Sequence, residues 1–184
     1  MEKHLTEGEI ERLLSIIDNI EDKLLIAFGI ESGCRVSEAV TLQTANIDNE
    51  RQIARVWDEK KDLWREIVLP RNVLQLIRMA LNARQKAGPL LFPFSYKTAN
   101  RTVKKWCQRA GIPPQKAHWH TFRHTYIVQS RLRGRDFKAV QQQTGDSELT
   151  LLRVYSTLTP EERIKDAEAR PIIKDGYETK PAGG

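Results

Sequence analysis

The chain has 184 residues, 40% of them hydrophobic and 29% charged, and a formal net charge of +6, which is enough for one folded domain with its own core. No apolar run approaches the roughly 20 residues that cross a bilayer, and the acid-rich start MEKHLTEGEIERLL has no secretory apolar core, so the expectation is a cytoplasmic protein with no membrane partner. Cys34 and Cys107 have neither disulfide-framework nor metal-ligand spacing, as in a reducing compartment.

TEGEIERLLSIIDNI, residues 6–20, predicts a helix with Thr6 as N-cap, Glu9 closing a capping box, and Ile10, Leu13, Leu14 and Ile17 as its apolar stripe. EDKLLIAFGIE, residues 21–31, predicts a second helix that is apolar on most sides and therefore buried. Gly33 ends it, and a short helix starts at Val36 or Ser37. Two β-rich arms flank the charged centre DEKKD in residues 51–70 and predict a hairpin closed by Pro70. RNVLQLIRMALNARQKAG predicts an amphipathic helix over 71–88, stopped by Gly88 and Pro89. KTANRTVKKWCQRAG predicts another over 97–111, and IPPQKA a linker. A helix from HWHTFRHTY runs to Arg133; RDFKAVQQQTG, DSELTLLRVYSTL and TPEERIKDAEA predict three more, and residues 169–184 an extended or disordered tail. The expected fold class is mainly α with a small antiparallel β-sheet (α+β), the sheet being a hairpin or three strands.

Charge is unevenly spread along these elements. Residues 1–66 carry 9 Lys/Arg against 15 Asp/Glu, residues 67–135 carry 14 Lys/Arg and no acid, and residues 136–184 carry 7 against 9. The acid-free stretch suits a polyanion partner, a solvated basic face being the alternative. In HWHTFRHTY, Trp119, Phe122 and Tyr126 recur at i, i+3 and i+7 as a core stripe, while His120, Arg123 and His124 share another face fit for an anion. His118, His120 and His124 have metal-compatible spacing but no nearby carboxylate or cysteine, and no metal is expected.

Four pieces stand in order: an arginine in SGCRVSEAVTL, lysines in the hairpin, HTFR, and VYS near the C-terminus. Together they resemble the catalytic domain of the tyrosine recombinases, the phage integrase and Xer-type family, over roughly residues 5–165. The resemblance implies a recombinase catalytic domain over 1–168, with residues 169–184 as the tail. It implies cleavage and rejoining of double-stranded DNA through a 3′-phosphotyrosyl intermediate, with no cofactor. Tyr155 matches the nucleophile, ahead of Tyr96, Tyr126 and Tyr177; Arg35 and Arg123 match the guanidiniums that hold the non-bridging oxygens, and Glu38 the acid that orients Arg35. His120 matches a phosphate contact or proton handler, His124 a structural partner turned away from the phosphate, and Lys60, with Lys61 as competitor, the donor to the leaving oxygen. Asp146 stands where the family usually has histidine or tryptophan. The preferred reading makes it or Ser147 the cap of the tyrosine helix; the alternative has it accept from Arg35, Arg123 or His120.

The resemblance further implies a tetramer on two duplexes, a monomer without DNA, and a tail after Tyr155 that docks on a neighbouring protomer. The N-terminal helical domain of the family has no counterpart in the sequence, and a fragment is expected rather than a minimal protein. Two alternatives keep the same fold: a catalytically weakened DNA-binding member, or a type IB topoisomerase-like enzyme.

Overall fold

The computed structural model describes residues 3–85, 88–156 and 158–169, with Tyr155 described by its backbone alone. Among these the chain forms α1 Glu7–Ser15, α2 Ile20–Ser32, α3 Val36–Val40, β1 Ile47–Asp48, β2 Ile53–Asp58, β3 Leu63–Val68, α4 Arg71–Ala83, α5 Tyr96–Arg109, α6 Trp119–Leu132, α7 Phe137–Thr144, α8 Glu148–Tyr155 and α9 Pro160–Ala169. The strands make one antiparallel sheet in the order β1-β2-β3, so the mainly α expectation with a small sheet holds, in its three-stranded form. None of the described helices is long and apolar enough to cross a membrane.

The capping box at α1 forms as the sequence predicts: Glu9 N–H donates to Thr6 Oγ1 at 3.2 Å and Thr6 N–H to Glu9 Oε2 at 2.8 Å. The helix stops at Ser15 rather than continuing to residue 20, because Asn19 turns out of helical geometry to cap α2, accepting from Asp22 N–H at 2.9 Å. Leu24 to Ile30 of α2 are all buried, and α4 and α6 pack against this helix. A side chain at Gly29 would lie 2.8 Å from Phe122 Cδ2 and 3.1 Å from the Trp119 ring, so the two helices meet this closely only over a bare backbone. Phe122 is 0% exposed, and truncating such a residue to alanine costs about 3–5 kcal/mol.

α4 also ends earlier than expected, at Ala83 instead of Gly88. Arg84 leaves the helix with extended geometry (ψ 134°), and its guanidinium holds both oxygens of Glu21, at 2.6 and 2.7 Å, and the Leu91 carbonyl at 2.5 Å. Charge-assisted bonds of that number outweigh one more helical turn. On the far side of the sheet, Gln143 of α7 pairs with the free edge of β3: Val68 N–H donates to its Oε1 at 2.8 Å, and its Nε2 donates to the Val68 carbonyl at 3.0 Å.

Two apolar clusters result, and α6 runs through both. Trp119 and Phe122 belong to the larger one with α1–α5 and the sheet, while Tyr126, Ile127 and Val128 pack with Val140, Leu151 and Val154 of α7 and α8. Arg123 lies between them. α9 closes back on the start of its own chain, with Glu162 Oε1 2.5 Å from His4 Nε2 and Lys165 Nζ 2.6 Å from Glu7 Oε2. The expected tail shares Ala169 with α9; residues 170–184, Tyr177 among them, lie outside the described residues.

Candidate active site

Three consecutive residues at the α2–α3 corner organise the site. Gly33 ends α2 in the left-handed region (φ 61°), and a side chain there would sit 2.6 Å from Tyr126 Cδ1. Its carbonyl accepts from Arg123 Nη1 at 2.7 Å, and the next carbonyl, Cys34, accepts from Trp119 Nε1 at 2.9 Å. Arg35 is the N-cap of α3: its backbone N–H donates to Glu38 Oε2 at 2.6 Å, and its Nη1 to Glu38 Oε1 at 3.2 Å. A stretch of chain with no regular structure thereby seats one arginine and receives another.

Arg123 is 3% exposed, and a charge so buried needs partners on every side. It has them: the Gly33 carbonyl, the Thr144 carbonyl at 2.7 Å, and Asp146, whose Oδ2 is 3.1 Å from Nε and whose Oδ1 is 2.6 Å from Nη2. Asp146 Oδ1 is also 3.5 Å from Arg35 Nη2. Of the two residues expected to cap the tyrosine helix, Asp146 or Ser147, the structure gives the cap to Ser147 and puts Asp146 in the alternative role, accepting from Arg35 and Arg123. Ser147 caps α8, its Oγ accepting from Thr150 N–H at 3.2 Å, while the Asp146 carboxylate turns to the guanidiniums, which offer full charges where the helix end offers a fraction of one.

Three more groups complete an alternating array of charges. Asp58, 0% exposed, accepts from Arg35 Nη1 at 2.9 Å. Glu38, 1% exposed, binds Arg35 on one side and Arg65 on the other, at 2.7 Å from Arg65 Nη2. Arg65 Nη1 donates in turn to the Gln143 carbonyl. Burial works against the Arg35 charge, but the carboxylates of Glu38, Asp58 and Asp146 outweigh it and raise its pKa above the ordinary arginine value.

His120 stands on the open face of α6. Its Nε2 is 2.9 Å from Nε2 of His124, with the rings edge to face, so one proton lies between two nitrogens and His124 contacts the site through His120. Desolvation first, then the Arg123 charge, lowers the His120 pKa; desolvation and His120 lower that of His124 to about 4. Both rings are neutral at neutral pH. Among the described residues no group of three or more His, Cys, Asp or Glu is placed to hold a metal ion.

Arg35, His120 and Arg123 line one cleft of about 320 Å³ together with Ser37, Tyr96 and Asn100. Lys60 and Lys61 lie in the β2–β3 turn, their backbone N–H groups 3.1 and 3.3 Å from Asp58 Oδ1. Lys61 lines a second groove with Leu63, Arg65, Gln141 and Asp146. Tyr155 is the last residue of α8. Tyr126 is 7% exposed, as its place on the core stripe predicts. The motif pattern of the sequence does not single out Asp58, Gln143 or Arg65, and Tyr96, a rival to Tyr155 in sequence, opens α5 and borders the cleft.

Comparison with known proteins gives a consistent result. Residues 3–162 match the model of the phage integrase family. The tyrosine recombinase XerA of Pyrococcus furiosus is 30% identical over 179 residues, which cover 91% of this chain and 61% of that protein, so the chain spans less than two thirds of this relative's length. Among solved structures, that of XerA recombinase superposes with a TM-score of 0.81 at 22% identity, covering 93% of this chain and 66% of that one. The catalytic domain of bacteriophage HP1 integrase superposes with a TM-score of 0.64 at 19% identity, covering 94% of this chain and 97% of that one. At these identities the superpositions speak for the fold.

Proposed function

The chain belongs to the phage integrase family, and on that premise we propose that it is the catalytic domain, residues 1–168, of a site-specific recombinase that cleaves and rejoins double-stranded DNA through Tyr155. The observation that carries this reading is the cleft in which Arg35, Arg123 and His120 converge from two separate segments. The acid-free basic stretch 67–135 supports a DNA partner.

In the proposed reaction the Tyr155 hydroxyl attacks a backbone phosphorus, a P–O bond to tyrosine forms, and the bond to the 5′-oxygen breaks. A tyrosine is a weak nucleophile at its ordinary pKa near 10 and needs a proton acceptor. Neutral His120 is suited to that role when its Nε2 is the donor to His124, which leaves the Nδ1 lone pair to accept. The guanidiniums of Arg35 and Arg123 stabilise the charge that gathers on the non-bridging oxygens, with no change of protonation. The leaving 5′-oxygen takes its proton from the hairpin turn, from Lys60 or Lys61, and the position of Lys61 in the groove beside Asp146 favours Lys61. Attack by a 5′-hydroxyl of another strand reverses the step and conserves the bond energy. The protein then works in the cytosol as a tetramer on two duplexes. A binding-only member of the family is the second reading, favoured by Asp146, which pairs with both cleft arginines.

A nicked suicide duplex tests the proposal. A denaturation-resistant protein–DNA adduct that disappears in Tyr155→Phe supports it. Binding without any adduct supports the second reading, and plasmid relaxation without recombinants points to a topoisomerase-like activity.

A further inference from the structure

We propose that Asp146 is the site's resident anion: its carboxylate occupies the bridging position between Arg35 and Arg123 that a DNA phosphate takes, and the phosphate enters by displacing it. The inference deepens the proposed function and rests on the reading that these arginines bind a phosphate.

The first argument is redundancy. Arg35 is held by Glu38 and Asp58 without Asp146, and Arg123 by the carbonyls of Gly33 and Thr144. Both side chains stay aimed if Asp146 leaves. The second is donor count. Arg123 has five N–H groups, and Asp146 takes two of them, on Nε and Nη2, in the paired geometry that guanidinium offers to any two-oxygen anion. A phosphate can take over those same donors.

The third argument is charge. Arg35, Arg65 and Arg123 face Glu38, Asp58 and Asp146, so the array is formally neutral with His120 uncharged. A phosphodiester carries one negative charge. With Asp146 out of the array its net charge becomes +1, and the incoming phosphate balances it. The fourth is access. Glu38 and Asp58 have side chains 1% and 0% exposed, whereas Asp146 is 11% exposed and lines an open groove. It also sits in the link between the left-handed Gly145, which ends α7, and Ser147, which caps α8. Its release frees the head of the helix whose last residue is Tyr155, so phosphate entry and the placement of the nucleophile become one event.

The test uses Asp146→Asn, which keeps the shape and removes the charge, beside Asp146→Glu, which keeps the charge. A short duplex is titrated at several salt concentrations, and inorganic phosphate is titrated by thermal shift against an ionic-strength control. The Asn variant should bind duplex about tenfold tighter, with a salt slope steeper by about one. It should also gain phosphate stabilisation that the wild type and the Glu variant lack. Weaker duplex binding and no phosphate response in a folded Asn variant would overturn the proposal and make Asp146 a residue that aims the arginines.

A measurement on the wild type covers a variant that does not fold. The Nε–H resonance of Arg123, bonded to Asp146 in the free protein, should move on saturation with duplex; an unmoved resonance in a saturated complex overturns the proposal. Adduct formation is scored separately. Absence of adduct in every form defeats the cleavage reading, while the binding data still decide the role of Asp146.

Discussion

Asp58 fixes Arg35 and the hairpin turn with one carboxylate: its Oδ2 accepts from Arg35 Nη1 at 2.9 Å, and its Oδ1 from the backbone N–H groups of Lys60 and Lys61 at 3.1 and 3.3 Å. The turn that carries the lysines therefore cannot shift without pulling on a cleft arginine. Asp58→Asn keeps the volume but sets an amide donor against an existing donor whichever way it is oriented. Stability should fall by about 1–3 kcal/mol in urea unfolding. Misplacement of the turn and the arginine together should slow adduct formation by about 100-fold.

Arg123 and Arg35 should respond differently to lysine. An ammonium is a point charge and cannot reach the Gly33 carbonyl, the Thr144 carbonyl and Asp146 at once, so Arg123→Lys leaves buried acceptors and a carboxylate without a partner. The expected loss is about 3–5 kcal/mol. Arg35 has a side chain 25% exposed, and water replaces part of what lysine cannot supply; Arg35→Lys should cost about 1 kcal/mol. Equal losses in the two unfolding curves would contradict the difference in burial.

The histidine pair sets a pH dependence. His124 is depressed to about 4 in the folded chain and titrates near 6.5 when unfolded, and His120 is shifted in the same direction. Above pH 6.5 both states are neutral and the contribution to stability is complete. As pH falls through 6.5 the unfolded chain takes up a proton that the folded chain refuses, and the contribution is lost progressively down to about pH 4. Because the rings are partly solvated, the loss is about 1–2 kcal/mol after discounting for screening. Thermal melts from pH 7.5 to 4.5 should show it, and His124→Gln should flatten the curve.

Gln143 closes the free edge of β3, and alanine in its place strands the Val68 N–H and carbonyl and the Ser32 carbonyl, which it also binds at 3.1 Å. About 2–3 kcal/mol of stability should be lost. The Val68 amide should exchange with solvent markedly faster, while α1, which packs on α2 and α5, should keep its protection.

Much of this architecture is legible along the chain wherever the decisive contact is local. Thr6 and Glu9 are three residues apart, and their capping box can be read directly. Asn19 left an equally local signal, a cap three residues before Asp22 that the apolar period masks, whereas the end of α4 cannot be read, because the partner of Arg84 is 63 residues away. Asp58 left a signal that was overlooked: Ala54, Val56 and Asp58 alternate in phase as the inward face of β2, so an acid at that position is buried and must be paired. Asp146 left a sign open to two readings, an acid where the family usually has histidine or tryptophan. Its partners lie 23 and 111 residues upstream, and the local pattern of an acid beside Ser147 reads as a helix cap.

The corner at Gly33, Cys34 and Arg35 also governs which changes of length the chain tolerates. One extra residue there would slide two carbonyls and a guanidinium out of register together, releasing Arg123, Trp119 and the Glu38 array in a single step. An extra residue at Ala110–Gly111, just after α5, displaces none of these. Descent with insertions and deletions can thus lengthen this fold at such surface joints, while at the corner the spacing is inherited whole or the cleft is lost.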